Sequence, residues 1–173
     1  MLEELSLHIL DIGMNSLAAG AKNLEVIVIE NSVRDWLIIR IRDDGRGMDE
    51  KTLGQVLNQN ATTKRNRKKP IGLGLALLRQ TSEMCGGTFH VHSTPGRGTS
   101  VTASMRLSHI DRPPLGDLNS TIIALCANPD VGVQLHYRTN DETFHFSSKE
   151  GKPYESRRTQ EAQGKGATSG CAA

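Results

Sequence analysis

Four separated segments of the chain carry side chains able to do chemistry together. In the first, His8, Asp11 and Asn15 stand at i, i+3 and i+7 and share one face of any helix containing them. A carboxylate and an amide carbonyl one turn apart can grip a hydrated divalent cation, Asn15 through its carbonyl oxygen and Asp11 directly or through a water. Taken alone, the same stripe reads as the solvated face of an amphipathic helix. The second segment is Asp43-Asp44-Gly45-Arg46-Gly47-Met48. Asp43 continues the alternation of Leu37, Ile39 and Ile41, which turns its side chain toward a buried face. A buried carboxylate is costly unless donors reach it. The amino group on a flat ring such as adenine is a donor of that kind and would give base selectivity. Gly45 and Gly47 let backbone pass close to a ligand; the plain alternative is a strand-ending turn rich in Asp and Gly.

The third segment, Ile71-Gly72-Leu73-Gly74-Leu75, opens a helix. Its glycines bare backbone N–H groups at a helix N-terminus, where the dipole favours anions, so it reads as a phosphate cradle. No strand leads straight into it and a third glycine is absent, which separates it from a dinucleotide-binding fingerprint. Before it lie Thr62, Thr63 and the cationic run Lys64 to Lys69. These residues suit a lid that is flexible when empty and ordered over a triphosphate, or simply a solvated loop. The fourth segment, Pro95-Gly96-Arg97-Gly98-Thr99, is in isolation an ordinary hairpin turn.

The elements that must position these residues follow from periodicity. Leu5, Ile9, Ile12 and Ser16 recur at spacings of three and four, predicting a helix over 2–19 that stops at Gly20. Residues 24–29 and 36–42 read as two strands of a hairpin, 49–58 as a short helix, and 73–84 as a helix ending at Gly86-Gly87. Phe89 and Val91 alternate with His90 and His92, and residues 99–107 form the partner strand. Helices between paired strands argue a two-layer α/β sandwich of α+β type, with helices on one face of a mostly antiparallel mixed sheet. Residues 108–114 mark a boundary, giving a domain at 1–108. A helix at 116–127 and a hairpin at 131–147 form a small appendage over 115–148, whose packing the sequence leaves open. From Lys149 to residue 173 the chain has almost nothing to bury, so a disordered tail is expected.

Composition narrows the function classes. Hydrophobic residues are 36% and aromatics 3%, so the core must be aliphatic. A net charge of +2 argues against a nucleic-acid or membrane-surface binder. No apolar run approaches the ~20 residues of a membrane helix, and the first residues have no basic lead, so a cytoplasmic protein is expected. Cys85, Cys126 and Cys171 show no zinc or redox spacing.

A helix carrying an Asn, then an Asp-x-Gly-x-Gly, a lid, a Gly-Leu-Gly-Leu and a Gly-x-Gly-Thr resembles, in that order, the GHKL superfamily. This group holds histidine-kinase catalytic domains, gyrase-type ATPases, heat-shock chaperones and mismatch-repair ATPases, and shares the Bergerat fold. The resemblance covers roughly residues 1–107 and implies ATP with Mg2+ as ligand. It implies Asn15 as the magnesium ligand, helped by Asp11 through water, and Asp43 on the adenine amino group, with Thr99 acting through a water. It further implies that Gly45, Gly47 and Met48 shape the base pocket. Gly72, Leu73, Gly74 and Leu75 would hold phosphates, approached by Thr63 and Lys64. The segment HILDIGMNSLAAGAKNLEV together with the helix-hairpin appendage is similar to short stand-alone bacterial histidine-kinase-like proteins found near iron-hydrogenase genes.

Two departures separate the activities this implies. The gyrase-like branch carries a hydrolytic Glu where this chain has the shorter Asp11. The histidine-kinase branch needs a phosphoacceptor His on a preceding helical hairpin, and His8 on the nucleotide helix is a poor substitute. The leading expectation is therefore a histidine-kinase-like module that transfers phosphate to, or regulates, a separate protein partner. An ATP-gated binding module and a slow ATPase with Asp11 as base are the alternatives. The family often dimerises, usually through segments absent here, which leaves a homodimer open.

Overall fold

The structure, a computed structural model, describes residues 4–57, 73–150 and 157–158. The expected lid, with Thr63 and Lys64, lies outside the described residues, as do Gly72 and most of the expected disordered tail.

The first helix, α1 (Leu5–Ala18), is built on the predicted stripe: Leu5, Ile9 and Ile12 are buried and Ser16 ends the row. Its start is pinned by the segment before the last helix, since the Leu5 and Ser6 amides donate to the Pro114 and Leu115 carbonyls. Strands β1 (Asn23–Asn31) and β2 (Trp36–Asp43) form the expected antiparallel hairpin, with Val26 opposite Ile41 and Leu24 opposite Asp43. Helices α2 (Glu50–Leu57) and α3 (Leu73–Met84) flank the undescribed segment. Strands β3 (Phe89–Thr94) and β4 (Gly98–Arg106) complete the amino-terminal part of the sheet. On β4, Met105, Ala103, Val101 and Thr99 lie opposite Leu37, Ile39, Ile41 and Asp43 of β2. Because side chains alternate along a strand, this register puts Asp43 and Thr99 side by side on the helix-covered face.

The 115–148 segment forms α4 (Leu118–Leu125), β5 (Gly132–Arg138) and β6 (Glu142–Ser147). Strand β5 pairs in parallel with β1, so the hairpin extends the sheet, whose order is β3-β4-β2-β1-β5-β6-β7. All other pairings are antiparallel. The shared core explains this docking. Leu118, Ile122, Leu125, Val133 and Leu135 are buried in one cluster with Leu5, Ile9 and Val26. Helix α4 also closes on α1, where a Cβ on Gly13 would meet a Leu125 methyl at 2.6 Å. Within the expected disordered tail, β7 (Arg157–Arg158) pairs with Glu142 and Thr143 of β6. Main-chain pairing at a sheet edge needs no apolar side chain, which is why hydrophobicity did not reveal it.

Cys85 is buried, Cys126 is half-buried, and neither is in a disulfide. No helix among the described residues is long and apolar enough to cross a membrane.

Candidate functional site

Between α1 and the ends of β2 and β4 opens a cleft of about 610 Å³, counting its mouth. Ile12, Val56, Leu75 and Val101 supply apolar walls, and Met48, Asn15 and Arg46 also border it. Asp43, only 8% exposed, lines it from the sheet side. A carboxylate at that depth needs donors, and the protein supplies two. The Ser16 hydroxyl donates to Asp43 Oδ2 at 2.8 Å, and the Gly45 amide donates to Oδ1 at 2.9 Å. A carboxylate offers about four acceptor positions, so acceptor capacity remains on this residue of the cleft lining.

Thr99, opposite Asp43, lies in a second polar group. The Met48 amide donates to Ser93 Oγ at 2.8 Å, and the Ser93 and Thr99 hydroxyls bond each other at 2.8 Å. These bonds tie the DDGRGM loop to β3 and β4, fixing Met48 at the cleft wall. Behind the loop, Asp44 accepts from the Lys22 and Asn23 amides at 2.7 and 2.8 Å and from the Asn23 side chain at 2.6 Å. Burial works against ionisation of Asp44, but these donors, led by Asn23, outweigh it and hold the carboxyl below its usual range.

The glycines of this loop also have a packing role that the sequence does not show. A Cβ on Gly47, whose φ is +64°, would come within 2.0 Å of the Thr94 carbonyl oxygen. One on Gly45 would meet Asp43 Oδ1 at 3.0 Å and Ala19 Cβ at 3.1 Å. Both glycines let backbone approach other parts of the protein closely; Gly47 also borders the cleft, and Gly45 stands behind Asp43.

On α1, the stripe of His8, Asp11 and Asn15 is not a solvated face. His8 is 4% exposed, and Asp11 and Asn15 are half-buried, because α3 packs along that side. Asn15 lines the cleft. Asp11 reaches across to α3 and accepts from the Gly74 amide at 2.8 Å. Leu73 begins α3, and Leu75 is buried against the cleft. Asp43, Thr99, Met48, Asn15 and Leu75 are thus brought to one cavity, while Thr63, Lys64 and Gly72 lie outside the described residues.

Two contributors escaped the sequence reading. Ser16 was counted in the apolar stripe, although a hydroxyl in an otherwise aliphatic row signals a buried acceptor opposite. Ser93 follows the inward positions Phe89 and Val91, so its alternation already aimed it at the covered face.

The chemistry of this arrangement suits a flat, largely apolar ligand with an amino group, extended by an anion near α3. Asn15 and Asp11 offer one amide and one carboxylate oxygen one turn apart, a donor set of the hard oxygen type that magnesium takes. The model of histidine kinase-, DNA gyrase B- and HSP90-like ATPases matches residues 1–109. The chain is 30% identical over 90 residues to the sensor histidine kinase YvrG of Bacillus subtilis, covering 51% of this chain and 16% of that protein. It is 28% identical over 100 residues to sporulation kinase D of the same organism, covering 58% and 19%. The chain thus spans less than a fifth of these curated relatives. Among solved structures, the Aquifex aeolicus MutL ATPase domain complexed with ADP aligns at a TM-score of 0.46 and 14% identity, covering 80% of this chain and 60% of that one. This chain belongs to the family of histidine kinase-, DNA gyrase B- and HSP90-like ATPases.

Proposed function

We propose that the chain binds ATP with magnesium in this cleft and acts as a histidine-kinase-like module on a separate protein partner. The observation that carries the reading is the buried Asp43 carboxylate, held by Ser16 and Gly45 with acceptor capacity left toward an apolar cavity. Asp43 accepts from the amino group of adenine, and Thr99, oriented by Ser93, adds a contact through water. Ile12, Met48 and Val101 flank the ring. Asn15 and Asp11 would hold the cation, which would supply neutralising charge to the phosphates. The first amides of α3, at Leu73, Gly74 and Leu75, direct the helix dipole at the phosphate chain. Positioning and charge neutralisation supply most of the rate in phosphoryl transfer, so the site needs no further nucleophile of its own.

The kinase reading draws support from relatives that are sensor histidine kinases and from Asp11 standing where a hydrolytic Glu would be longer. Incubating the chain with γ-labelled ATP and magnesium, alone and with host lysate, tests it. Label on a second protein supports the reading and marks the partner. Label released as phosphate would replace it with an ATPase based on Asp11. Label left on bound ATP would replace it with a nucleotide-gated binding module.

A further inference from the structure

Asp11 does more in this fold than wait for a cation. Its Oδ2 accepts from the amide of Gly74, the second residue of α3. That N–H is one of the four that a helix leaves unpaired at its start, and the positive end of the dipole attracts an anion there. The contact needs glycine: a Cβ at position 74 would sit 2.3 Å from Asp11 Oδ2 and 3.0 Å from Asp11 Cβ. Helix α3 has no acidic residue in its own first turn. The carboxylate of Asp11, sixty-three residues away in sequence, is therefore an internal anion on an amide that the nucleotide reading assigns to a phosphate.

One N–H cannot serve two anions at full strength, and a carboxylate left beside a triphosphate repels it. A bound divalent cation would remove both obstacles, because Asp11 would then ligate the cation in place of the amide and the cation would offset the phosphate charge. Building on the nucleotide reading above, we propose that Asp11 is a specificity-determining residue that makes phosphate capture conditional on magnesium. Without the cation Asp11 keeps the Gly74 amide; with it, Asp11 would serve the metal and leave Gly74 free to donate to the phosphate. The device discriminates against metal-free ATP and leaves recognition of the base untouched.

The test compares ATP and adenosine binding to the wild-type chain and to Asp11→Asn, each with magnesium and with EDTA, by calorimetry. For the wild type, EDTA should weaken ATP binding about tenfold or more, since a charge-assisted hydrogen bond must be given up without compensation. Asp11→Asn should bind metal-free ATP about tenfold more tightly than the wild type does. Adenosine should bind both proteins equally, with or without magnesium. A residue that was only a metal ligand would behave otherwise: its loss would weaken Mg-ATP and leave metal-free ATP as before.

Charge repulsion alone is separated by the Gly74 amide resonance in a ¹⁵N-labelled sample. It should move in Asp11→Asn without nucleotide, and in the wild type on adding Mg-ATP but not adenosine. This wild-type readout stands even if the variant fails to fold. An Asp11→Asn chain that binds metal-free ATP no more tightly than the wild type would overturn the inference, as would a Gly74 amide that Mg-ATP leaves unmoved. Absence of both adenosine and ATP binding to the wild type would sink the nucleotide reading itself, and the inference with it. Adenosine binding intact beside metal-free ATP affinity unaltered by Asp11→Asn would sink the inference alone.

Discussion

Asp43 and Ser16 form a pair whose two members answer different questions. Ser16, 5% exposed, donates the hydroxyl that keeps a buried carboxylate tolerable, and the carboxylate is the group proposed to select the ligand. Ser16→Ala removes one donor and should lower stability by about 1–3 kcal/mol, read from denaturant unfolding. A change within ±0.3 kcal/mol would mean that water replaces the hydroxyl there. Gly47→Ala should be costly for a separate reason, since its φ is +64° and the new methyl would press on the Thr94 carbonyl. A loss of about 2 kcal/mol or more is expected in the same experiment. Asp43 was legible in the sequence because strand alternation aimed it inward. The purpose of Gly47 was not, because the carbonyl it avoids belongs to a strand nearly fifty residues away.

At the scale of elements, the site depends on loops being tied to strands. Asp44 holds the turn before β1 to the end of β2 through three donors. Its carboxyl lies below the ordinary value of 3.8, because the hydrogen bonds of Asn23 and Lys22 outweigh the opposing effect of burial. The sign follows from linkage: a group whose folded pKa is depressed stabilises the fold above its unfolded pKa, and that contribution is lost as pH falls through the folded value. Wild type and Asp44→Asn should therefore differ in stability at pH 6, and the difference should shrink as pH drops below about 4. A gap that stays constant from pH 6 to pH 2.5 would show that the charge of Asp44 is not what ties the turn. The hairpins and α3 were readable from period-two and period-3.6 patterns, to within a residue or two. The joining of α1 to α3 through Asp11 was hidden, because the sequence shows a polar stripe without showing which neighbour covers it.

At the scale of the molecule, the sheet runs without a break from the nucleotide-side strands into the carboxy-terminal hairpin. Strand β5 covers the edge of β1, and α4 covers one flank of α1, the helix that carries Asn15 and Asp11. The Tyr137 hydroxyl adds a bond to Glu30 at 3.0 Å across that seam. Burial and the neighbouring Glu30 carboxylate push the Tyr137 hydroxyl up to about 12. A chain ending after residue 109 retains the whole region matched by the family model, yet loses Leu118, Ile122, Leu125, Val133 and Leu135 from the core they share with Leu5, Ile9 and Val26. It should lose cooperative thermal unfolding and aggregate; a sharp transition near that of the full chain would refute the seam's importance. Composition hinted at a boundary in residues 108–114, and the helix and hairpin beyond it were legible. Their parallel docking on β1 was not, since a long-range parallel pairing leaves no local pattern.

Asp43 is the residue proposed to make the cleft a site for adenine nucleotides. Calorimetric titration of ATP and of GTP, with magnesium, into the wild type and Asp43→Asn tests it most directly. The wild type should bind ATP and discriminate against GTP, whose ring presents a carbonyl where adenine presents the amino group. Asp43→Asn should weaken ATP about 10- to 100-fold, the cost of disrupting a buried charge-assisted hydrogen bond. Equal affinity for GTP in the wild type, or undiminished ATP affinity in Asp43→Asn, would contradict the assignment of the site.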